Sequence, residues 1–263
     1  MKKNYIALLL ALSFLFILGC SLFTGGPTTD GPTNEEQEAP AQPIEDTAPE
    51  APVEPAATQK PTDVPSTSAP ETQMYFTEEF TYDSGNWDVF YMGSGDGEET
   101  TFEYSNDRLT IDIGDEDVYM YYLYLPYEYD DVKLTLNAEN LGRNNNNVSL
   151  VCHVSDAGWY EFSVENGGLW YLYAAVWDEK YGHTGYNILD NGGARTLKQG
   201  KEVNEYALEC NGDEMTLWVN GDKLKTAKDT RFGLPKGMVG FNISSLNVLP
   251  ITVDIDWFRI EAP

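Results

Sequence analysis

Positive charge is what this sequence has least of. Its 263 residues carry 16 Lys and Arg against 43 Asp and Glu, a formal charge of −27. Displacing counterions from phosphates needs a basic face, so the balance argues against nucleic-acid binding. The same sign argues against electrostatic docking on an anionic membrane. Histidine is limited to two residues and cysteine to three, which leaves too few ligands for an ordinary zinc site. No helix-period apolar run of useful length follows the N-terminal segment, and no internal repeat of the kind that builds a propeller or solenoid is visible. Aromatic residues, by contrast, are plentiful: 13% of the chain, including 17 Tyr and 6 Trp. Such a chain can bury a core, and its length is within reach of one large all-β domain.

Residues 1–19 read as a processing segment. Lys2 and Lys3 precede an apolar run from Tyr5 to Leu18 that is broken only by Ser13 and is too short for a comfortable membrane span. The run ends in Ile17-Leu18-Gly19-Cys20, which resembles the lipobox of bacterial lipoproteins, although Leu18 is larger than usual there. That resemblance implies cleavage before Cys20 and acylation of its thiol, hence a membrane partner through several acyl chains. It also implies an extracytoplasmic location in a bacterial cell envelope. The stretch 21–73 holds ten of the 14 Pro, ten acidic residues and one Lys, and has no aromatic residue after Phe23. It lacks the apolar area to offset its ordering entropy, so 20–74 is expected to be a disordered tether.

The remainder, 75–263, is punctuated by Gly, Asn and Asp at short intervals. Strand-like stretches recur at 118–125, 132–138, 148–155, 159–165, 169–176, 203–210, 215–219, 238–244 and 251–260. Many short strands with regular turn signals predict an all-β, two-sheet antiparallel sandwich. Asn166-Gly167, Asn211-Gly212 and Asn220-Gly221 stand where hairpin turns belong, because Asn and Gly tolerate the positive φ of a type I′ turn. Two-residue turns at the last two place Tyr206, Leu208, Cys210, Met215, Leu217, Val219 and Leu224 on one apolar face. In the last strand the apolar phase slips between Ile255 and Phe258. Either a bulge at Asp256-Trp257 or a strand ending near Ile255 would account for it.

Four patterns in order, Phe80-x-x-x-Ser84-Gly85-x-Trp87, Trp159-Tyr160-x-Phe162, Leu217-Trp218-Val219-Asn220-Gly221 and Val253-x-Ile255-Asp256-x-Phe258, cover nearly all of 76–262. Together they resemble the concanavalin A-like lectin/glucanase superfamily, which implies a jelly roll. That superfamily holds family 16 glycoside hydrolases, 3-keto-disaccharide hydrolase-like proteins, laminin-G-like modules and carbohydrate-binding modules, so the fold does not select an activity. A glucanase of this kind alternates two Glu and an Asp on one strand as Glu-x-Asp-x-(x)-Glu, which sets the carboxyls on one face. The nearest approach read from the sequence is Asp254-Ile255-Asp256, with no Glu at the right step, so no catalytic residue is assigned.

Other candidates are weaker. His153 lies on an apolar strand and His183 in a Tyr-Gly-His-Thr-Gly loop, with no triad spacing evident. Gly93-Ser94-Gly95-Asp96-Gly97 is followed by Glu98 and Glu99, which would repel a phosphate. The resemblance implies a structural calcium where the first strand meets the last, which nominates Glu79, the Gly97 region and Asp256. No cofactor is required. Sugar recognition rests on aromatic platforms. With a two-residue turn at 166–167, Trp159, Glu161, Ser163, Trp170 and Leu172 share a mixed, wettable face, while Tyr171 and Tyr173 join Tyr160 and Phe162; a three-residue turn would reassign the second strand. Trp159, Glu161 and Trp170 are therefore the ligand-binding candidates, with core packing the other role open to both Trp rings.

With Cys20 committed to lipid, Cys152 and Cys210 remain as an even pair in an oxidising compartment, and both alternate with apolar residues, so a disulfide is expected. The reading is a lipid-anchored, monomeric carbohydrate-binding sandwich with a polysaccharide ligand. A glycoside-acting enzyme of the same superfamily and a partner-binding envelope module are the alternatives.

Overall fold

In the computed structural model, which describes residues 73–263, every stretch with strand-like patterning forms a strand. The elements are β1 (Phe76–Glu78), β2 (Trp87–Gly93), β3 (Thr100–Ser105), β4 (Arg108–Ile113), β5 (Val118–Tyr129), β6 (Asp131–Asn140), β7 (Asn146–Ser155) and β8 (Gly158–Glu165). They continue with β9 (Leu169–Asp178), β10 (His183–Gly193), β11 (Val203–Asn211), β12 (Glu214–Val219), β13 (Asp222–Lys228), β14 (Gly237–Ser245) and β15 (Ile251–Glu261). No helix occurs among the described residues. The signal segment, Cys20 and the tether through residue 72 lie outside them.

All pairings are antiparallel, and they build two sheets. One runs β13-β12-β11-β6-β15-β4-β3 with β1 added beside β15, and the other runs β10-β9-β8-β7-β14-β5-β2. Each strand turns alternate side chains inward, so the sheets close on a shared apolar layer that includes Leu109, Ile111, Leu134, Leu136, Leu150, Phe162, Leu208, Leu217, Phe241 and Ile243. The resemblance motifs converge there: Trp87 stacks on Tyr122 and meets Phe80, Phe241 and Phe258. Cys152 on β7 and Cys210 on β11 form the expected disulfide, with Cα atoms 6.8 Å apart and a sequence separation of 58. It ties one sheet to the other through the core.

The hairpin register differs in detail from the sequence reading. The β11–β12 turn is Gly212-Asp213, so Leu208 faces Leu217 and Tyr206 faces Val219. This shift moves both strands together and keeps the expected apolar face. The β12–β13 turn is Asn220-Gly221, both with positive φ, and Leu224 falls in a bulge beside Leu217. In β15 the register slips between Ile255 and Trp257, so the phase change is a bulge and the strand continues to Glu261. Ile251, Val253, Ile255, Phe258 and Ile260 are all buried as a result.

The β8–β9 hairpin changes a functional assignment. Its loop is Asn166-Gly167-Gly168, three residues, with Gly168 at φ +94° and its N–H donating to the Glu165 carbonyl. Val164 therefore faces Trp170 and Phe162 faces Leu172. One added loop residue exchanges the two faces of β9. Trp170 is turned into the core, where its ring lies against Gly192 so closely that a Cβ there would sit 2.9 Å from it. Trp170 is thus corrected from ligand platform to core residue. Tyr171 and Tyr173 move to the outer face.

Candidate functional site

The outer face of the seven-stranded sheet carries the richest chemistry. Along β9, Tyr171, Tyr173, Ala175 and Trp177 share that face at a period of two. Tyr171 and Tyr173 are half-buried and nearly parallel, with centroids 5.6 Å apart, and Trp177 is exposed. At about 3.3 Å per residue the stripe runs some 20 Å along the sheet. On β8 the same face shows Trp159, Glu161, Ser163 and Glu165. Neighbouring strands add Ser149 and Asn147 from β7, Asn242 and Ser244 from β14, and Tyr119 and Tyr121 from β5.

Small side chains in the middle of this face and large phenols beside them leave a depression. Its volume is about 320 Å³, and it is lined by Tyr119, Asn147, Glu161, Ser163, Glu165, Tyr173, Tyr186, Ser244 and Leu246. Glu161 is its most constrained member. Oε2 accepts both Trp159 Nε1–H at 3.0 Å and Tyr121 O–H at 2.8 Å. Burial pushes the Glu161 carboxyl above the ordinary value, against the hydrogen bonds from Trp159, Tyr121 and Ser149. The charge of Glu161 in turn adds to burial in raising Tyr121 and Tyr186.

Trp159 lies on the expected face but is only 7% exposed. Phe90, Tyr121 and Tyr186 meet its ring edge-on at 6.2, 5.4 and 6.1 Å. It is a packed ring and a hydrogen-bond donor rather than an open platform, which is a second correction. The stacking surface belongs to Tyr171, Tyr173 and Trp177, which the two-residue turn had hidden. A third correction concerns the carboxylate row. Glu161-x-Ser163-x-Glu165 has the alternation of a glucanase strand, with Ser in place of the central Asp, and it stands on β8 rather than at Asp254-Ile255-Asp256. The spacing was visible in the sequence, and the missing Asp disguised it.

Asp254 and Asp256 instead meet Arg108 on the eight-stranded sheet, at 3.8 and 3.6 Å, and Asp254 accepts the Thr110 hydroxyl. The nominated calcium set is not brought together. The Gly97 carbonyl accepts Thr100 N–H, and Thr100 is level with Ile113 and Ile251. Asp256 is five residues further along β15, about 16 Å away at strand rise. Glu79 follows β1 near that far end, since Glu78 faces Phe258, and it is exposed beside a separate edge cavity of about 290 Å³. Among the described residues no cluster of three His, Cys, Asp or Glu side chains could hold a metal.

His153 sits in a β7 bulge at φ +57°, fully buried, with Nδ1 2.7 Å from the Leu234 carbonyl and Nε2 2.8 Å from that of Asp130. Burial lowers its pKa despite those two carbonyls. It anchors loops away from the outer-face cavity. His183 is exposed, and its ring stacks on Tyr181.

No family model and no curated protein matches this chain. Solved structures do. A Bacillus subtilis protein of unknown function with a galectin-like fold superposes with a TM-score of 0.55 at 12% identity, over 72% of this chain and 98% of that one. The Bacillus licheniformis β-glucanase gives 0.53 at 13% identity, over 73% and 100%. A Bacteroides ovatus mixed-linkage glucan GH16 protein in complex with a G4G4G3G product gives 0.54 at 10% identity, over 71% and 99%. Residues 73–263 have the concanavalin A-like jelly-roll fold.

Proposed function

We propose that the outer face of the seven-stranded sheet binds a polysaccharide without cleaving it, on a domain held at a bacterial membrane by a lipid on Cys20. The observation that carries the reading is the Tyr171-Tyr173-Trp177 stripe leading past a cavity floored by Ser163 and Ser244. Aromatic faces stack on the apolar faces of sugar rings, and the carboxylates, phenols and hydroxyls beside them bond to sugar hydroxyls. Two of the superposed proteins are named for glucans, which makes glucans natural members of a ligand panel. The anchoring part rests on Lys2, Lys3, the apolar run and Leu18-Gly19-Cys20.

Two features speak for binding over hydrolysis. Glu161 is almost wholly covered, and both its Trp159 and Tyr121 bonds fall on one oxygen. Ser163 takes the place of the Asp of the glucanase pattern, and a hydroxyl does not share a proton with a neighbouring carboxyl as a second carboxyl does. Glycoside hydrolysis is the second reading, favoured by Glu161 and Glu165 lining one cavity.

Incubating the full chain with a panel of polysaccharides, while counting bound protein and new reducing ends, separates the two. The expected result is retention on at least one polysaccharide with reducing ends at the level of buffer. Release of reducing ends that disappears in both Glu161→Gln and Glu165→Gln would establish the enzyme instead.

A further inference from the structure

The cavity's charged groups are all of one sign, beside hydroxyls of Ser163, Ser244, Tyr119, Tyr173 and Tyr186 that can donate as well as accept. Glu161 and Glu165 contribute carboxylates, and Asn147 contributes an Oδ1 that is buried without a hydrogen-bond partner. A buried acceptor without a donor carries an unrelieved desolvation cost, which a ligand donor would relieve. No Lys, Arg or His is among the lining residues. A ligand that fits this lining carries no negative charge and brings a donor for Asn147 Oδ1.

The walls point the same way. Three tyrosines line the cavity, with Tyr186 packed against Tyr173 at 5.7 Å and 86° and against Tyr119 at 6.4 Å and 32°. A tyrosine ring at the cavity wall can attract a cation that reaches its electron-rich face. Beyond the cavity, a chain of −27 charge repels uronate or sulfate polymers and draws in cations.

We infer that the ligand is a polysaccharide bearing free, protonated amino groups, and that one ammonium enters this cavity beside the tyrosine rings and the Glu165 carboxylate, within the field of the almost covered Glu161. An ammonium has three donors and no acceptor, which complements the Glu165 carboxylate and Asn147 Oδ1. Its arrival also favours the ionised form of Glu161, whose carboxyl burial alone pushes up. The inference rests on the polysaccharide-binding reading and narrows it to amino sugars that are not N-acylated.

The test is calorimetric titration of the full chain, at about 0.15 M salt to screen long-range attraction. The titrants are glucosamine oligosaccharides, their N-acetylated counterparts and β-glucan oligosaccharides, all of matched length. The expected result is about tenfold or greater preference for the free amine, a gap the size of one or two charge-assisted hydrogen bonds. Glu165→Gln removes that preference, and Asp254→Asn, on the other sheet, keeps it. Equal affinity for all three sugars overturns the amine inference and leaves the polysaccharide reading standing. Binding to none of them counts against both. A lysine oligopeptide that binds as tightly as the amino sugar, or an Asp254→Asn loss equal to that of Glu165→Gln, would show attraction to any polycation and overturn the inference.

Discussion

Glu161 places an ionisable carboxyl where solvent scarcely reaches, and that has a consequence for stability against pH. Its folded-state pKa lies above its unfolded value, which is about 4.3. Between those two values the native state holds the extra proton, so stability falls as pH rises through that window and then levels off. Glu161→Gln keeps an acceptor for Trp159 and Tyr121 but has no proton to lose. The variant is therefore expected to match wild type below pH ~4 and to melt higher than wild type at neutral pH. Melting curves across pH check this, and a constant difference at every pH would contradict it. Trp159 is the neighbouring case. A ring walled in by Phe90, Tyr121 and Tyr186 packs as a core residue does, so Trp159→Ala is expected to lose about 3–5 kcal/mol in denaturant unfolding. A loss under about 1 kcal/mol would return it to the surface.

At the scale of elements, the three-residue loop of the β8–β9 hairpin decides which side chains stand on the outer face. Deleting Gly168 shortens it to Asn166-Gly167 and would expose Trp170 and Leu172 while forcing Tyr171 and Tyr173 inward. The deleted chain is expected to lose its cooperative thermal transition, and a transition within a few degrees of wild type would mean the loop does not set the register. This hairpin also marks the limit of what the sequence discloses. Strand-like patterning located β5 to β9, β11, β12, β14 and β15, where apolar residues recur at alternate positions, although β7, β8 and β14 are buried on both faces. It did not locate β10, an edge strand with Gly185, Gly192 and Gly193, where half-exposed positions blur the alternation. Nor did it find the β3–β4 turn, which uses Asn106-Asp107 at positive φ instead of Asn-Gly. The apolar phase slip, by contrast, pointed directly to the β15 bulge. For the site, Trp159 and Glu161 were assigned to the right face, but Asn166-Gly167 is compatible with a loop of either length, and the stripe on β9 depended on that length.

At the scale of the described domain, the Cys152–Cys210 bridge joins two sheets that meet mainly through apolar contact, with polar ties such as Lys225–Asp190, Tyr104–Tyr122 and Trp87–Glu78. Closing a loop with a sequence separation of 58 is worth up to about 4 kcal/mol through the unfolded chain's entropy. Reduced protein is expected to unfold at lower denaturant by that order, and identical midpoints before and after reduction would show that the bridge contributes nothing. The strong acidity of the chain opposes self-association, and on the proposed reading the tyrosine-lined face is where a neutral or cationic polymer would settle. The most direct measurement of that role is affinity electrophoresis of the full chain through gels loaded with single polysaccharides, wild type beside Tyr173→Ala. Tyr173 is half-buried on the outer face, so removing its ring takes away stacking area without opening the core. The expected result is retardation of wild type by at least one polysaccharide and about tenfold weaker retardation of Tyr173→Ala, with both proteins melting within a few degrees of each other. Wild type running unretarded in every gel, or Tyr173→Ala held back as strongly as wild type, would contradict a polysaccharide site on this face.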